Sequence, residues 1–519
     1  MRKLILPGTG LKNTVTLILS AFLLSLSPAY SLAGQSEDVS ENIFKEFSGG
    51  ETFSIGVQDS ILTALEHNPT IAIQRLQPQM ALDSVEEKRA TFDPQVNASL
   101  NRSEAKTEAL LGTKVEPVEL TTKRSGESIG ISKTFSTGTA LSFSSGISGS
   151  VSSLYTDQYT GSLTFSLTQS LLQGFGTKAN LATLMKAKID VDISQAELKS
   201  VAENLVAKVE KAYWDLYLNK EEISIQKESL DLADRQLDES KERVAVGKLA
   251  EIELASVNAE VASRRESLIE AQSRYEKARL QFLYLLNPQG EDMWLMTPVI
   301  TDQPFLPKDT MDAVAVHEQL GLKYRPDLQQ ARLNLQKGDL DVQQTKNGLL
   351  PRLDFFLTYG KSTYAESFSD AVPDPSSQYD SFSSGLTFTL PISNRSAKAK
   401  YAKAVKSMEQ MEMSVKNMER LVALDVRSAY IEAIKSREMI EATKVTRELQ
   451  QRNMDAEQEK FRVGKSTNYL VLKAQRDFTT SELTEARAMV GYLEALIDLY
   501  QMQGTLLERR GIESLTLDE

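Results

Sequence analysis

The chain has 519 residues, with 59 cations against 71 acids, two histidines and no cysteine. The acidic balance argues against nucleic acid as a partner. His67 and His317 lie too far apart in sequence to suggest a metal site or a Ser-His-Asp triad, and the lack of cysteine excludes disulfides and a lipid-modified N-terminal cysteine. No enzyme activity, cofactor or metal is expected.

Residues 1–12 carry Arg2, Lys3 and Lys12 and no acid, and an apolar run from Val15 to Leu26 follows. Pro28 and the small-residue stretch Ser31-Leu32-Ala33 come next. Basic, then apolar, then small is the layout of a cleaved export signal. The run is shorter than the roughly 20 apolar residues that cross a bilayer as a helix. Cleavage is expected after Ala33, with Ala29 as the alternative, and leaves 56 cations against 71 acids. Beyond the signal no apolar run of helix-spanning length appears.

The rest reads as two copies of one unit, the first thing to look for in a long chain. Asn68-Pro69 precedes Asp93-Pro94, and Arg325-Pro326 precedes Leu350-Pro351, with the two prolines 25 residues apart in each case. Both intervals read as helix leading into strand. Val209-x-x-Ala212-Tyr213 matches Val426-x-x-Ala429-Tyr430, and each leads over 34 residues from its tyrosine to a Val-Gly pair, Val246-Gly247 and Val463-Gly464.

Each copy passes from period 2 to period 7. Leu163, Phe165 and Leu167 alternate with Ser162, Thr164 and Ser166. In the second copy, Leu353, Phe355, Leu357 and Tyr359 alternate with Arg352, Asp354, Phe356 and Thr358, and Leu386, Phe388 and Leu390 form a further strand. This pattern fits a half-buried soluble sheet or a membrane barrel with a wet lumen. Residues 128–150 of the first copy, absent from the second, read as another hairpin around Thr137-Gly138, inside the barrel wall or outside the membrane. Gly174-x-Gly176-x-x-Ala179 resembles a dinucleotide fingerprint, but its strand alternates and no parallel strand returns, so a flexible exit from strand to helix is expected. Val209, Leu216, Ile223, Leu230, Leu237 and Val244 recur every seven residues, then Leu254, Val261, Leu268, Tyr275 and Phe282. Val471, Phe478, Tyr492 and Leu499 do the same, with Glu485 interrupting. Heptads argue for coiled-coil hairpins, with each Val-Gly at the turn. Glu86-Glu87 and Glu221-Glu222 read as solvated surface charge, and Tyr213 and Trp214 as packed seam.

These residues resemble the TolC family of outer-membrane efflux and secretion ducts. The likeness rests on Ala64-Leu65 before Asn68-Pro69, Arg325-Pro326-Asp327-Leu328, Leu350-Pro351-x-Leu353, Leu167-Thr168-Gln169-Ser170-Leu171, Leu390-Pro391-Ile392 and the two Val-Gly tips. Ser170 stands where the family usually has proline. The resemblance implies an α+β fold of membrane β-barrel strands plus long α-helical coiled-coil hairpins, with two strands and one hairpin from each copy. It implies a homotrimer in outer-membrane lipid with its helices in the periplasm. A periplasmic adaptor and an inner-membrane transporter are the implied partners, for efflux or type I secretion. The expected layout is a signal at 1–33, an equatorial segment at 34–57, repeats at 58–286 and 310–504, a linker at 287–309 and a tail at 505–519.

By the same resemblance, Val246, Gly247, Val463 and Gly464 are adaptor-contact tips, and the periplasmic aperture falls on Glu253, Leu470 and Lys473. The family's namesake carries acids six and nine residues beyond the second tip glycine, where this chain has Leu470 and Lys473. The expected closure uses Leu470 packing, with Lys473 and Glu253 as ionic partners. Leu470 could instead face a neighbouring helix. The competing reading is a soluble periplasmic coiled-coil tether.

Overall fold

The computed structural model describes residues 50–109, 117–153, 155–290, 292–306 and 311–512. They belong to the unit Phe47–Glu519; the other unit, Met1–Glu46, with the expected export signal and most of the expected N-terminal equatorial segment, lies outside the described residues, as do residues 513–519 of the expected C-terminal tail.

Each copy opens on a pair of helices: α1 (Val57–His67) and α2 (Pro69–Arg89), then later α6 (Val314–Tyr324) and α7 (Pro326–Asn347). Proline stands at the first position of α2 and α7, where its missing N–H costs no hydrogen bond. Asn68 makes the first joint rigid. Its side chain accepts from Thr70 N at 2.9 Å and donates to the Leu285 carbonyl at 2.9 Å.

The long helices are α4 (Ala182–Ala245), preceded by the single turn α3 (Thr177–Asn180), and α8 (Arg395–Arg462). At 1.5 Å per residue they reach ~96 and ~102 Å. Each turns back into a 35-residue partner, α5 (Ile252–Leu286) or α9 (Asn468–Met502). The lower halves of α4 and α8 pair with α5 and α9, and α9 also packs on α4. Their upper halves lie beside α2 and α7, giving the side-by-side order α2, α4, α7, α8. Two apolar cores hold the middle. One joins Ile61, Leu65 and Ile71 to Val209, Tyr213, Leu216, Phe282 and Ile497; the other joins Leu328 to Val422, Val426, Tyr492 and Leu499. Each fully buried aliphatic side chain there contributes ~1.5–3 kcal/mol. A short parallel pair, β1 (Thr52–Ile55) with β6 (Thr297–Ile300), ties the start of the first copy to the linker. Tyr213 seals it, since its hydroxyl accepts from Asp302 N at 3.0 Å. The single turn α10 (Leu506–Arg509) closes the first core.

The remaining strands form one antiparallel sheet in the order β2 (Gln95–Ala109), β3 (Val118–Thr134), β4 (Thr139–Ser152), β5 (Tyr155–Ser170), β7 (Arg352–Ala365), β8 (Asp380–Thr389). Among the described residues the first copy therefore supplies four strands to this sheet, not the two that the resemblance implies. The hairpin at 128–150 is paired into the sheet between the strands that grow from α2 and lead into α4.

The period-2 pattern sorts the faces. Val96, Ile131, Phe143, Phe165, Tyr359 and Phe382 stand side by side across all six strands, and all are exposed. On the opposite face the next row is Asn97, Gly130, Ser144, Thr164, Gly360 and Ser381. The described residues leave the outer edges of β2 and β8 without a strand partner.

The exit from β5 into α4 is pinned, contrary to the flexible link read from its glycines. Gly174 and Gly176 have φ of +84° and +85°, which only glycine adopts without strain. Asn180 Nδ2 donates to the carbonyls of Ser136, Gly174 and Gly176 at 3.1, 2.8 and 3.0 Å, and Gly174 N donates to Asn347 Oδ1 at 2.8 Å. A Cβ on Gly138 would come within 2.2 Å of the Gly174 carbonyl oxygen. The base of the β3–β4 hairpin is thus locked to the loop that starts the long helix.

Candidate functional site at the helical tips and the seam between the hairpins

The two tips are structural twins. At the first, Gly247 N donates to Val244 O at 2.9 Å and Lys248 N to Arg243 O at 2.8 Å. At the second, Gly464 N donates to Phe461 O at 2.9 Å and Lys465 N to Lys460 O at 2.7 Å. This paired closure needs a left-handed residue just past the helix end, and Gly247 and Gly464 have φ of +71° and +77°. A Cβ on either glycine would meet nothing within 4 Å, and Val246 and Val463 are 67% and 65% exposed. The tips therefore present bare backbone and one valine each. Arg243 stacks on the Phe461 ring at 4.1 Å and donates to the Arg462 carbonyl at 3.3 Å, so the tips touch each other.

The aperture residues are not brought together as one cluster. Leu470 is 44% exposed, with Val471 and Leu472 buried beside it. Lys473 is exposed and makes no ion pair among the described residues. Glu253 receives a long hydrogen bond, 3.4 Å, from Asn468 Nδ2 rather than from Lys473.

Sequence reasoning missed the seam behind them. The apolar heptads of α4 turn toward α5, where Leu237 packs on Val257 and Leu254. A second stripe, Glu222, Gln226, Ser229, Ala233, Gln236 and Ser240, is also buried, and several of its members reach α9. Asn468, the first residue of α9, accepts from Gln236 Nε2 at 2.9 Å and from Ser240 Oγ at 3.1 Å. Ser229 Oγ lies 3.1 Å from Thr479 Oγ1 and accepts from Arg264 Nη1 at 2.8 Å. Higher up, Glu222 accepts from Arg274 Nη2 at 3.0 Å and Arg487 Nε at 2.7 Å. Its side chain is only 5% exposed, so the surface charge expected of the Glu221-Glu222 pair holds for Glu221 alone. Glu485, which interrupts the α9 heptad, pairs with Arg447 of α8. The signal was present as polar residues at steps of three, four and seven along α4. The same pattern describes a solvated helix face, and the residues it meets on α9 lie more than 200 positions away.

Two carboxyls near these seams are held protonated toward neutral pH. Burial, reinforced by Glu228, pushes Glu482 up to about 7, against the opposing pull of Arg447. Burial pushes Glu203, in the upper part of α4, up to about 8; Lys199 opposes it, and Glu508 adds to the rise. Low-dielectric surroundings disfavour the charged form in both cases.

Long helical hairpins with open tips, joined to a sheet that carries an apolar row across one face and a small polar row across the other, describe a known architecture. The outer membrane efflux protein family model matches residues 61–287 and 319–505. The chain belongs to the outer membrane efflux protein family. Among curated relatives of this outer-membrane efflux protein is the pyoverdine export outer membrane protein OpmQ of Pseudomonas putida, 25% identical over 326 residues. That match covers 60% of this chain and 64% of the relative. The outer membrane protein TolC of Escherichia coli is 24% identical over 319 residues, covering 59% of this chain and 62% of TolC. The matches thus span somewhat less than two thirds of either relative. Solved channels share the fold over greater lengths. OprN superposes with a TM-score of 0.66 at 16% identity, covering 86% of this chain and 89% of that one. The Campylobacter jejuni CmeC outer membrane channel gives 0.65 at 15%, covering 92% and 91%. The efflux protein is accordingly an outer-membrane protein whose helical part lies in the periplasm.

Proposed function

We propose that copies of this chain, three by analogy with the family, close a barrel in the outer membrane and a helical tunnel beneath it. The assembly is a passive exit duct for an inner-membrane transporter, joined through a periplasmic adaptor. The observation that carries this reading is the six-stranded sheet, with an unbroken apolar row from Val96 to Phe382 on one face, a row of small polar residues from Asn97 to Ser381 on the other, and both edges unpaired among the described residues. An open strand edge is not tolerated in hydrocarbon, and closure by further copies satisfies it. A soluble tether would leave the aromatic row in water. The chain itself does no chemistry in this reading. Energy comes from the transporter.

Within the duct, the exposed valines and bare backbone of the two tips are the surface that an adaptor would grip. The polar seam between the hairpins is the part that can slide when the periplasmic end opens, because hydrogen bonds between short polar side chains can be exchanged for water as the helices part. Leu470 and Lys473 sit on the exposed side of α9 just above the tips, and symmetry would repeat each around the axis.

Unheated detergent extracts of the purified protein should run as a multiple of the monomer, and heating should collapse them. In planar bilayers the same material should form channels. A heat-insensitive, soluble monomer that forms no channels would sink the duct reading.

A further inference from the structure

We propose that the β3–β4 hairpin is a permanent part of the barrel wall, so that each chain contributes six strands, and that the barrel thereby matches the helical tunnel in bore. The exit would then admit hydrated solutes as wide as the tunnel delivers. This inference rests on the duct reading.

Pairing is the first support. β3 bonds to β2 from Gln95↔Ser132 to Ala109↔Val118 and to β4 from Thr122↔Ser152 to Thr134↔Ala140, so it is an interior strand along its length. Chemistry is the second. The apolar row and the hydroxyl row both run through β3 and β4 without a break, and a hairpin standing in water would need neither. Position is the third. The turn of the hairpin is fixed at the base of the sheet by Asn180 and by the contact of Gly138 with Gly174, at the level where strands become helices. With six alternating strands, as with any even number, β8 of one copy and β2 of the next run antiparallel, so keeping the hairpin leaves the ring able to close with the sheet's own pairing pattern.

Circumference is the last support. Four helices per chain, α2, α4, α7 and α8, form the layer directly beneath the sheet. At ~9.5 Å per helix they occupy ~38 Å of perimeter. Strands ~4.8 Å apart and tilted ~40° occupy ~38 Å when six are present and ~25 Å when four are. Six strands fit the helix layer at ordinary tilt, whatever the number of copies. Four would require a much steeper tilt or a narrower mouth. The rows facing away from the apolar side carry no charge at the level of Asn97 to Ser381, so that part of the lumen would discriminate little between ions.

The chain has no native cysteine, so single cysteines can be paired between copies of the full-length protein. Ser383→Cys on β8 should crosslink adjacent copies when combined with cysteines along the hydroxyl face of β2, at Gln95, Asn97, Ser99 or Asn101. It should not do so with Ser142→Cys, Ser144→Cys or Ser148→Cys on β4. Crosslinks from β8 to β4 would mean that β2 and β3 lie outside the wall, which overturns the proposal. Deleting residues 110–154 joins β2 to β5 with antiparallel sense preserved. Four strands per chain should shrink the barrel diameter to about two thirds. The largest polyethylene glycol that enters from the extracellular side of a bilayer should fall in size accordingly. An unchanged size limit in the assembled deletion variant would also overturn the proposal. Loss of the oligomer in the parent protein would instead defeat the duct reading itself.

Discussion

Glu222 offers the sharpest test of the seam between the hairpins. It sits on α4, almost wholly buried, and binds one arginine from α5 and one from α9. Replacing it with glutamine keeps the volume and removes the charge. Hydrogen bonds to a charged group contribute ~1.5–3 kcal/mol each. Arg274 and Arg487 are 44% and 56% exposed, so both can return to water when the carboxylate is gone. That places the net loss toward the low end, ~2–3 kcal/mol for the pair of bonds. A double-mutant cycle of Glu222→Gln with Arg487→Gln, read from thermal unfolding of the purified oligomer, should give a coupling of ~1–2 kcal/mol. The single variant should also raise the closed-state conductance, because this contact holds α9 against α4. A coupling below ~0.3 kcal/mol with unchanged conductance would show that the seam neither stabilises the hairpin contact nor restrains opening.

Gly247→Asp and Gly464→Asp should leave outer-membrane assembly intact, since a side chain meets no atom there and aspartate tolerates a left-handed backbone better than most residues; each should cut export and crosslinking to an adaptor, and full export by both would remove the tips from the mechanism. Leu470→Ser should raise closed-state conductance, and Lys473→Asp should shift permeability toward cations with an effect that fades at high salt; normal assembly with parental conductance and selectivity would place the constriction elsewhere. Glu203 has a folded-state pKa raised to about 8 against a reference of 4.5, so its contribution is fully present below pH 4.5 and is lost as pH rises through 8. The loss is at most ~5 kcal/mol. Glu203→Gln should therefore be more stable than the parent at pH 9, with the difference shrinking toward pH 5; parallel pH profiles for the two proteins would refute this account.

What the sequence by itself determined is whatever is written in local period and spacing. The alternation of Leu163, Phe165 and Leu167 with hydroxyls gave a strand and its two faces, because side chains alternate strictly across a pleat. The seven-residue recurrence from Val209 to Val244 gave a long helix with a packed side. The matched Val-Gly pairs gave two turns, because a helix end needs a residue at positive φ. Repeated spacings made the duplication visible without coordinates. Neighbourhood was decided only by the tertiary structure. A strand's pattern does not say which strand lies beside it, so the entry of β3 and β4 between β2 and β5 appeared only with the pairing. A long helix carries several stripes at nearly the same period. On α4 the apolar stripe and the polar stripe are both regular, and nothing local says that the second is also buried. Glu222 looks like solvated charge until Arg487, 265 residues away, is placed against it. Burial and ionic pairing are properties of contacts made across the chain, and those contacts exist only once the hairpins have packed.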